Sequence, residues 1–297
     1  MDRRDFLKSS SLLFSSPFFC SSISELITST KYKTGLQLFS VRDAMENNPI
    51  DTLISLKKMG YEDFETYGYD ALNKKYYGFS PLDFKSILND LDVSTYSGHY
   101  DVNSLMEVSE DNLKKHVDSC IDGAHALGNK YIVYPMLDSK YHTVQGYKLL
   151  INKLNQIGQR ITKAGLGFAY HNFDYDFNLY ENKLGIDWII NETNPEWVKL
   201  QVDFYWVMRS GKLSPKQLIE RSKGRFKLWH IKDMDVLTKD YTELGNGSID
   251  YKKVLPDASI SGLEHYYIEQ GGNYKINSME SAQQSISFFM KHIKHLI

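Results

Sequence analysis

The chain has 297 residues, of which 42% are hydrophobic and 24% are charged, so it has enough apolar side chains for a sizeable core and is not a disordered chain. Its 35 basic and 37 acidic residues give a formal net charge of -2. A balance this close to zero offers no field that attracts a phosphate backbone, which argues against nucleic acid as a partner.

The first segment, residues 1–30, has the composition of an export leader rather than of a folded domain. It begins with Arg3 and Arg4 and continues into a serine-rich apolar stretch that includes Leu12 and Phe18. This order resembles a twin-arginine signal, and its apolar part is too short to span a bilayer as a permanent helix. We therefore expect a periplasmic or otherwise exported protein, with a frayed cytosolic N-terminus as the alternative.

The two cysteines predict no disulfide in a chain that has lost this leader. Cys20 lies within the leader, and Cys120 falls on a predicted helix. A single remaining thiol without metal-site spacing indicates that Cys120 serves in packing.

From residue 31 onward, short β-rich apolar runs alternate with longer helical patterns. The predicted strands are Gly35–Val41, Asp63–Tyr67, Val93–His99, Tyr131–Tyr134, Gly167–Tyr170, Val198–Asp203, Phe226–His230 and Tyr266–Glu269. The helical patterns include Ile50–Met59, Asp111–Leu127, Gly146–Ala164, Ser214–Ser222 and Ser278–His295. No Pro-rich or Gly/Ser-rich linker interrupts them, so residues 31–297 are predicted to form one α/β domain, a single (β/α)8 TIM barrel.

An open, doubly wound sheet is the alternative arrangement of the same elements. Such a sheet would be expected to bind a dinucleotide through a glycine-rich turn after an early strand. No G-x-G-x-x-G motif follows an early strand in this sequence, so the closed barrel is favoured.

Barrel enzymes build their active sites where the strands end, and here six of the eight predicted strands end in a titratable group. These groups are Glu65, His99, His171, Asp203, His230 and Glu269. Asp203, His230 and Glu269 are residue types that bind divalent cations, and they come from successive strands, so their side chains are expected to converge. Taken singly, they have alternative roles as a helix cap, a buried core histidine and the partner of a lysine.

Four motifs follow one another in the second half of the chain. They are Tyr170-His171-Asn172-Phe173-Asp174-Tyr175-Asp176-Phe177, Val202-Asp203-Phe204-Tyr205-Trp206-Val207, His230-Ile231-Lys232-Asp233-Met234 and Ile268-Glu269-Gln270. Together with the glycine-rich segment Leu244–Asp250, they resemble the sugar phosphate isomerase/epimerase family of xylose isomerase-like barrels. The resemblance extends from about residue 33 to the C-terminus.

This resemblance implies one divalent cation, Mn, Mg or Zn, held by residues of strands five to eight. The corresponding positions in this sequence are His171, Asp203, His230 and Glu269. In the family, the strand-five ligand is commonly a glutamate that also moves protons, and His171 stands about where that glutamate would be.

Three further positions depart from the family pattern. Phe173 and Asp176 stand where the family often has His and Glu, and Gly271 stands where an acidic residue commonly follows Glu-Gln. Whether His171 or Asp176 completes the metal site is therefore open at this point, and these departures indicate that the substrate or the reaction differs from that of the usual member.

A metal site of this kind supports removal of the hydrogen beside a sugar carbonyl, which yields an enediolate. The predicted catalytic residues are Glu269 as the base, His171, and Lys232 as a stabiliser of the oxyanion; a salt bridge between Lys232 and Asp233 is the alternative. The side chains predicted to bind substrate are Glu65, His99, Asn172, Tyr205, Trp206 and Gln270. Glu65 alternatively anchors the barrel rim, and the rings alternatively pack between strand and helix.

Three functions fit these predictions. The first is a metal-dependent isomerase or epimerase of a keto sugar, without phosphate because no P-loop or Arg/Lys cluster follows predicted strand seven or eight. The second is a metal-dependent lyase or hydratase that cleaves C–O bonds of oxidised (3-keto) glycosides, and the third is a non-catalytic sugar-binding barrel. An endonuclease for abasic DNA is disfavoured because a basic face and further metal ligands are not visible. The resemblance also implies that the chain can form a homo-oligomer.

Overall fold

The computed structural model describes residues 31–297 of the chain. The predicted export leader, residues 1–30, and Cys20 within it lie outside the described residues. The other cysteine, Cys120, is a buried free thiol on a helix.

Eight parallel strands form the centre of the described chain. They are β1 Gly35–Gln37, β2 Asp63–Glu65, β3 Ser97–His99, β4 Tyr131–Tyr134, β5 Gly167–His171, β6 Lys199–Asp203, β7 Phe226–Ile231 and β8 His265–Ile268. Their order is β2-β1-β8-β7-β6-β5-β4-β3. The two ends of this sheet meet through bridges between Asp63 and Ser94 and between Thr66 and Gly98, so the barrel is nearly closed. The predicted eight-stranded parallel barrel is confirmed.

Helices cover the outside of the barrel, as repeated right-handed crossovers between parallel strands require. They are α1 Arg42–Asn47, α2 Pro49–Met59, α3 Pro81–Asp90, α4 Glu110–Leu127, α5 Val144–Lys163, α6 Gly185–Glu192, α7 Phe204–Ser210, α8 Pro215–Glu220, α9 Tyr251–Val254, α10 Ala258–Ser261 and α11 Ser278–His292. None of the helices in residues 31–297 combines the length and apolar composition that crossing a membrane requires.

The loops contain short 3-10 helices and short strands. They are the 3-10 helices Leu38–Val41, Asn103–Leu105, Ser139–Tyr141, Asp174–Phe177 and Lys294–Leu296, and two pairs of two-residue strands, Leu179–Tyr180 with Lys183–Leu184 and Asp233–Met234 with Tyr241–Thr242.

Local sequence signals explain where the long helices begin and end. The side chains of Asn48 and Ser109 accept hydrogen bonds from the first turns of α2 and α4, which satisfies backbone N–H groups that have no partner within a helix. Both helices end at a glycine in the left-handed conformation, Gly60 with φ 108° and Gly128 with φ 80°, which is the common glycine C-cap.

The first strand is shorter than the sequence predicts. The predicted strand continued to Val41, but the chain turns into a 3-10 helix at Leu38–Val41, where the side chain of Gln37 accepts a hydrogen bond from Phe39 N. Leu38 and Val41 are fully buried in this turn. Periodicity cannot separate a buried strand from a buried helical turn, because both present a continuous apolar run.

Alternate residues of the strands point into the barrel and out toward the helices. The outward side chains join the large core beneath the helices, whereas a small apolar cluster of Tyr131, Val133, Ala169 and Leu228 lies apart from it. Polar side chains occupy the remaining inward positions, among them the fully buried Gln37, Glu65 and Ser97. Buried polar groups also occur at the amino ends of the strands, where Asp63 at the start of β2 accepts a hydrogen bond from Tyr267 Oη.

Candidate active site

Four titratable side chains converge at the carboxyl ends of consecutive strands. His171 ends β5, Asp203 ends β6, His230 lies on β7 opposite Asp203, and Glu269 directly follows β8. One potential ligand atom of each lies within 4.8 Å of the others. Parallel pairing brings the residues together, because the ends of neighbouring strands share one edge of the barrel.

The four side chains meet through nitrogen and oxygen atoms that suit a divalent cation. His171 Nε2 lies 3.3 Å from Asp203 Oδ2, and His230 Nδ1 lies 3.8 Å from the same oxygen and against Glu269 Oε2. His230 Nδ1 and Glu269 Oε2 are buried, and although they lie against each other their geometry is not that of a hydrogen bond. Two imidazole nitrogens and two carboxylate oxygens are the donor set of Zn²⁺ and related ions.

The tautomer of His171 provides a second test of this fit. Burial, which outweighs the hydrogen bond to Asp203, lowers the pKa of His171 to about 4, so the ring is neutral near pH 7. Nδ1 contacts the backbone oxygen of Pro135 at 3.1 Å while Nε2 faces Asp203. A neutral ring has only one proton, so one of these contacts joins two acceptors. A cation bound to Nε2 and Asp203 would remove that conflict, and Nδ1–H would then donate to Pro135.

His230 lies between two carboxylates. Its Nε2 is 2.5 Å from Glu65 Oε2, and its Nδ1 faces Glu269. Burial alone would lower the pKa of His230, but Glu269 and Glu65 raise it to about 9. Hydrogen bonding of Nε2 to Glu65 directs Nδ1 toward the other three ligands, which is how a carboxylate commonly orients a metal-binding histidine.

Glu65 lies inside the barrel beneath this group. Its oxygens accept hydrogen bonds from Gln37 Nε2 at 2.8 Å, Gln201 Nε2 at 2.8 Å and Ser97 Oγ at 2.6 Å, and His99 Nε2 lies at 3.2 Å. Burial favours the neutral acid, but His99 and His230 hold the pKa of Glu65 well below its ordinary value. Glu65, His99 and His230 also lie within ligand distance of one another, but the oxygens of Glu65 are already occupied by side chains of four strands.

Lys232 contacts the carboxylates of Asp203 and Glu269 rather than that of its sequence neighbour Asp233. Its Nζ lies 2.6 Å from Asp203 Oδ2 and 2.8 Å from Glu269 Oε2. Burial by itself would lower the pKa of Lys232, but these two carboxylates raise it above its ordinary value. Asp233 instead accepts hydrogen bonds from the backbone of the glycine-rich turn, at Gly245, Gly247 and Ile249. The alternative salt bridge between Lys232 and Asp233 is therefore absent.

A pocket of about 440 Å³ opens above the four converging residues. It is lined by Phe39, Tyr67, Gly68, His99, Asp101, Asn103, Pro135, Met136, His171, Phe173, Lys232, Tyr241, Glu269 and Gly271. Its volume is in the range of small-molecule sites. The predicted catalytic residues Glu269, His171 and Lys232 all reach this pocket, as does His99.

The other residues predicted to bind substrate lie behind the pocket lining. Asn172 is buried and its Oδ1 accepts a hydrogen bond from Asp203 N at 3.0 Å, and Gln270 N donates to Ser40 Oγ at 3.0 Å. Tyr205 and Trp206 are buried on α7, where Trp206 packs against Phe173 with ring centroids 4.8 Å apart. These placements favour support of the site over contact with a ligand.

Asp176, the other residue considered for completing the metal site, is not part of the converging group. It is fully buried and accepts hydrogen bonds from Tyr147 Oη at 2.6 Å, Tyr170 Oη at 2.9 Å and Phe173 N at 2.8 Å. Among the described residues, His171 is thus the strand-five member of the group. Asp176 fixes the loop that carries Phe173 into the pocket.

Several pocket residues escaped the sequence reasoning. Phe39 lies on the 3-10 turn after β1, Met136 follows Pro135 after β4, and Tyr241 lies in the short strand pair after β7. None is a titratable rim residue of a recognised motif, so residue type alone did not point to them. Their position shortly after a strand was the available signal, because the loops that follow barrel strands form the pocket.

Comparisons with known proteins agree with this architecture. A curated relative, an inosose dehydratase of Geobacillus thermodenitrificans (strain NG80-2), is 24% identical over 152 residues. That match covers 45% of this chain and spans half the length of the relative.

Solved structures resemble the chain over most of its length. A sugar phosphate isomerase/epimerase from Parabacteroides distasonis ATCC 8503 has a TM-score of 0.76 at 24% identity, covering 89% of this chain and 95% of that one. The IolI protein with a bound zinc atom has a TM-score of 0.69 at 16% identity, covering 89% of this chain and 99% of that one. The family model described as xylose isomerase-like TIM barrel matches residues 54–292. The chain belongs to the xylose isomerase-like TIM barrel family.

Proposed function

We propose that this protein is a divalent-metal-dependent isomerase or epimerase that acts on an unphosphorylated keto sugar through an enediolate. The observation that carries the proposal is the convergence of His171, Asp203, His230 and Glu269, a group that reaches the pocket through His171 and Glu269. A divalent cation held by these residues would supply Lewis-acid polarisation of a substrate carbonyl. Members of the family include isomerases, epimerases and dehydratases.

Glu269 and Lys232, at the floor of the pocket, have different roles in the proposed reaction. Glu269 is a carboxylate at the floor whose pKa is lowered from its ordinary value, because Lys232 and His230 outweigh its burial. It is therefore ionised near pH 7, which is the form that a base needs in order to accept the proton beside the carbonyl. The ammonium of Lys232, 2.8 Å from Glu269, stabilises the negative charge that develops on the substrate oxygen.

The walls of the pocket support a neutral substrate. Among the residues that line it, Lys232 is the only cationic side chain, and it already contacts two carboxylates. The lining therefore lacks the cluster of Arg and Lys side chains that typically binds a phosphate group. Phe39, Tyr67 and Tyr241 instead offer ring faces, which suit the apolar faces of a sugar ring.

A lyase or dehydratase reaction on an oxidised sugar is the second candidate. Glu269 and Lys232 lie side by side in the pocket floor, so they can remove a proton and protonate a leaving oxygen on the same face of the substrate. Such a pair suits elimination from the enediolate, whereas epimerisation requires proton transfer on both faces. The partial similarity to an inosose dehydratase supports this candidate. The leader-like residues 1–30 support an exported location for either reaction.

Metal analysis of the purified chain tests the proposal. We expect near-stoichiometric Mn, Mg or Zn after dialysis, lost in His230→Ala and retained in His295→Ala, a control at an exposed histidine. Glu269→Gln should remove turnover more completely than it removes metal, because the amide keeps an oxygen ligand but cannot act as the base. Product analysis with keto sugars and 3-keto glycosides then separates isomerisation from elimination. A chain without bound metal and without any metal-dependent thermal shift would refute the proposal.

A further inference from the structure

Lys232 uses the same two oxygen atoms that the proposed cation needs. Its ammonium contacts Asp203 Oδ2 and Glu269 Oε2, the oxygens that also face His171 Nε2 and His230 Nδ1. The side chain is 3% exposed, so water screens its charge little. Two positive centres therefore depend on one pair of buried carboxylates.

A divalent cation bound to Asp203 Oδ2 and Glu269 Oε2 would compete with the contacts that Lys232 makes to the same oxygens. Metal–carboxylate bonds are about 2.0–2.2 Å long, and a cation at that distance from both oxygens would lie next to the ammonium. Repulsion between like charges at such separations is large even at the effective dielectric of a protein site. Either the cation binds weakly or Lys232 moves.

We propose that Lys232 competes with the divalent cation for Asp203 and Glu269, so that it sets the cation affinity, and that cation binding moves its ammonium into the pocket. The pocket offers a place for the displaced charge, since Lys232 Nζ already lies 5.7 Å from the ring centre of Tyr241, which lines the pocket. An aromatic face attracts an ammonium at this distance. Lys232 thereby contacts substrate only when the cation is in place.

This inference rests on the proposed metal-dependent function, but its test needs no substrate. Mn²⁺ and Zn²⁺ are titrated calorimetrically into the metal-free full chain, the Lys232→Met and Lys232→Gln variants, and Lys252→Met, which removes an exposed lysine of α9. We expect both Lys232 variants to bind the ions about tenfold more tightly or better, because a competing charge is gone. Lys252→Met should bind as the wild type does.

Thermal unfolding is a second measurement, independent of the calorimetric titration, and it also shows whether each variant is folded. Without metal, Lys232→Met should unfold at a lower temperature than the wild type, because two buried carboxylates lose their counter-charge. Added Mn²⁺ should raise its melting temperature by more than it raises that of the wild type. Lys232→Arg retains the charge and should show no gain in affinity.

The outcomes separate this inference from the proposed function. Equal or weaker metal binding by Lys232→Met and Lys232→Gln would overturn the competition and leave the metal-dependent function standing. Binding by the two neutral variants but not by the wild type would support the competition and contradict metal dependence of the native chain. Absence of binding in every variant would overturn both.

Discussion

At the scale of single residues, the site works through pairs of groups that change each other's protonation. Burial lowers the pKa of His171, whereas the carboxylates of Glu269 and Glu65 raise the pKa of His230 against the effect of its burial. Two histidines 4.8 Å apart between ring centres thus have opposite protonation preferences. Their neighbours decide the difference, because burial is common to both.

Asp176 gives a residue-scale prediction for pH dependence. Burial, which outweighs the hydrogen bonds from Tyr147, Phe173 N and Tyr170, raises its pKa from 3.8 to about 7. Between about pH 4 and 7 the folded chain therefore binds a proton at Asp176 that the unfolded chain has released, so this group lowers stability as the pH rises. Asp176→Asn should remove a dependence of up to about 1.4 kcal/mol per pH unit across that range.

Urea unfolding of the wild type and Asp176→Asn at several pH values measures this effect. The free energies of the two chains should be closest near pH 4, and the variant should gain relative to the wild type toward pH 7. Parallel pH profiles would show that Asp176 stays ionised in the folded protein. Other buried acids affect both chains equally and cancel in the difference.

At the scale of elements, one aspartate at a strand end, Asp203, takes part in two structures. Asp203 ends β6, and its Oδ1 accepts a hydrogen bond from Trp206 N at 3.2 Å, which caps α7. Its Oδ2 points to the candidate metal group. The helix-cap and metal-ligand readings of Asp203 are therefore both compatible with the structure, since the two oxygens face different partners.

The glycine-rich turn after β7 gives the element-scale prediction. Asp233 accepts hydrogen bonds from Gly245 N, Gly247 N and Ile249 N, and a side chain at Gly247 would overlap its carboxylate. Asp233→Ala should lower the free energy of unfolding by about 2–4 kcal/mol, because three backbone amides, including that of the buried Ile249, lose a charged acceptor. Hydrogen exchange at these amides should accelerate.

Asp235→Ala is the matched control for this substitution. Asp235 also accepts backbone hydrogen bonds, from Leu237 and Thr238, but in an exposed turn. Its loss should cost less than about 1 kcal/mol. Equal costs for the two variants would mean that the glycine-rich turn does not depend on Asp233.

At the scale of the whole molecule, Glu65 connects several strands of the barrel through hydrogen bonds inside it. Its partners Gln37, Ser97 and Gln201 come from β1, β3 and β6, and His230 comes from β7. Strand β2 itself meets β3 only through isolated bridges. A buried carboxylate with partners on four strands compensates for the incomplete hydrogen bonding at that junction.

Removal of Glu65 should therefore destabilise the whole barrel. Glu65→Ala removes one of the two carboxylate partners of His230 and an acceptor of buried side chains, a loss that typically costs about 3–5 kcal/mol, and Glu65→Gln should cost less because the amide retains an acceptor. Glu46→Ala, at an exposed position on α1, should stay within about 0.5 kcal/mol of the wild type. Chemical denaturation measures the free energy of unfolding of the three variants. A cost below about 1 kcal/mol for Glu65→Ala would contradict the role of Glu65 in connecting the strands.

The sequence by itself determined the eight strands and the edge at which the candidate site lies. Strand and helix periodicities are local, and parallel strands place their carboxyl ends together, so residues such as Asp203 and Glu269 could be assigned to one rim.

Only the tertiary structure decided which side chains meet. Glu65 and His230 are 165 residues apart, and Glu65 and Gln201 are 136 apart, and no local pattern encodes such pairs. The same holds for the pocket walls formed by Phe39, Met136 and Tyr241, because loop conformation depends on packing against other loops. The charges that surround a side chain are likewise known only in the folded chain. The contacts of Lys232 with Asp203 and Glu269, and the opposite pKa shifts of His171 and His230, therefore required the three-dimensional arrangement.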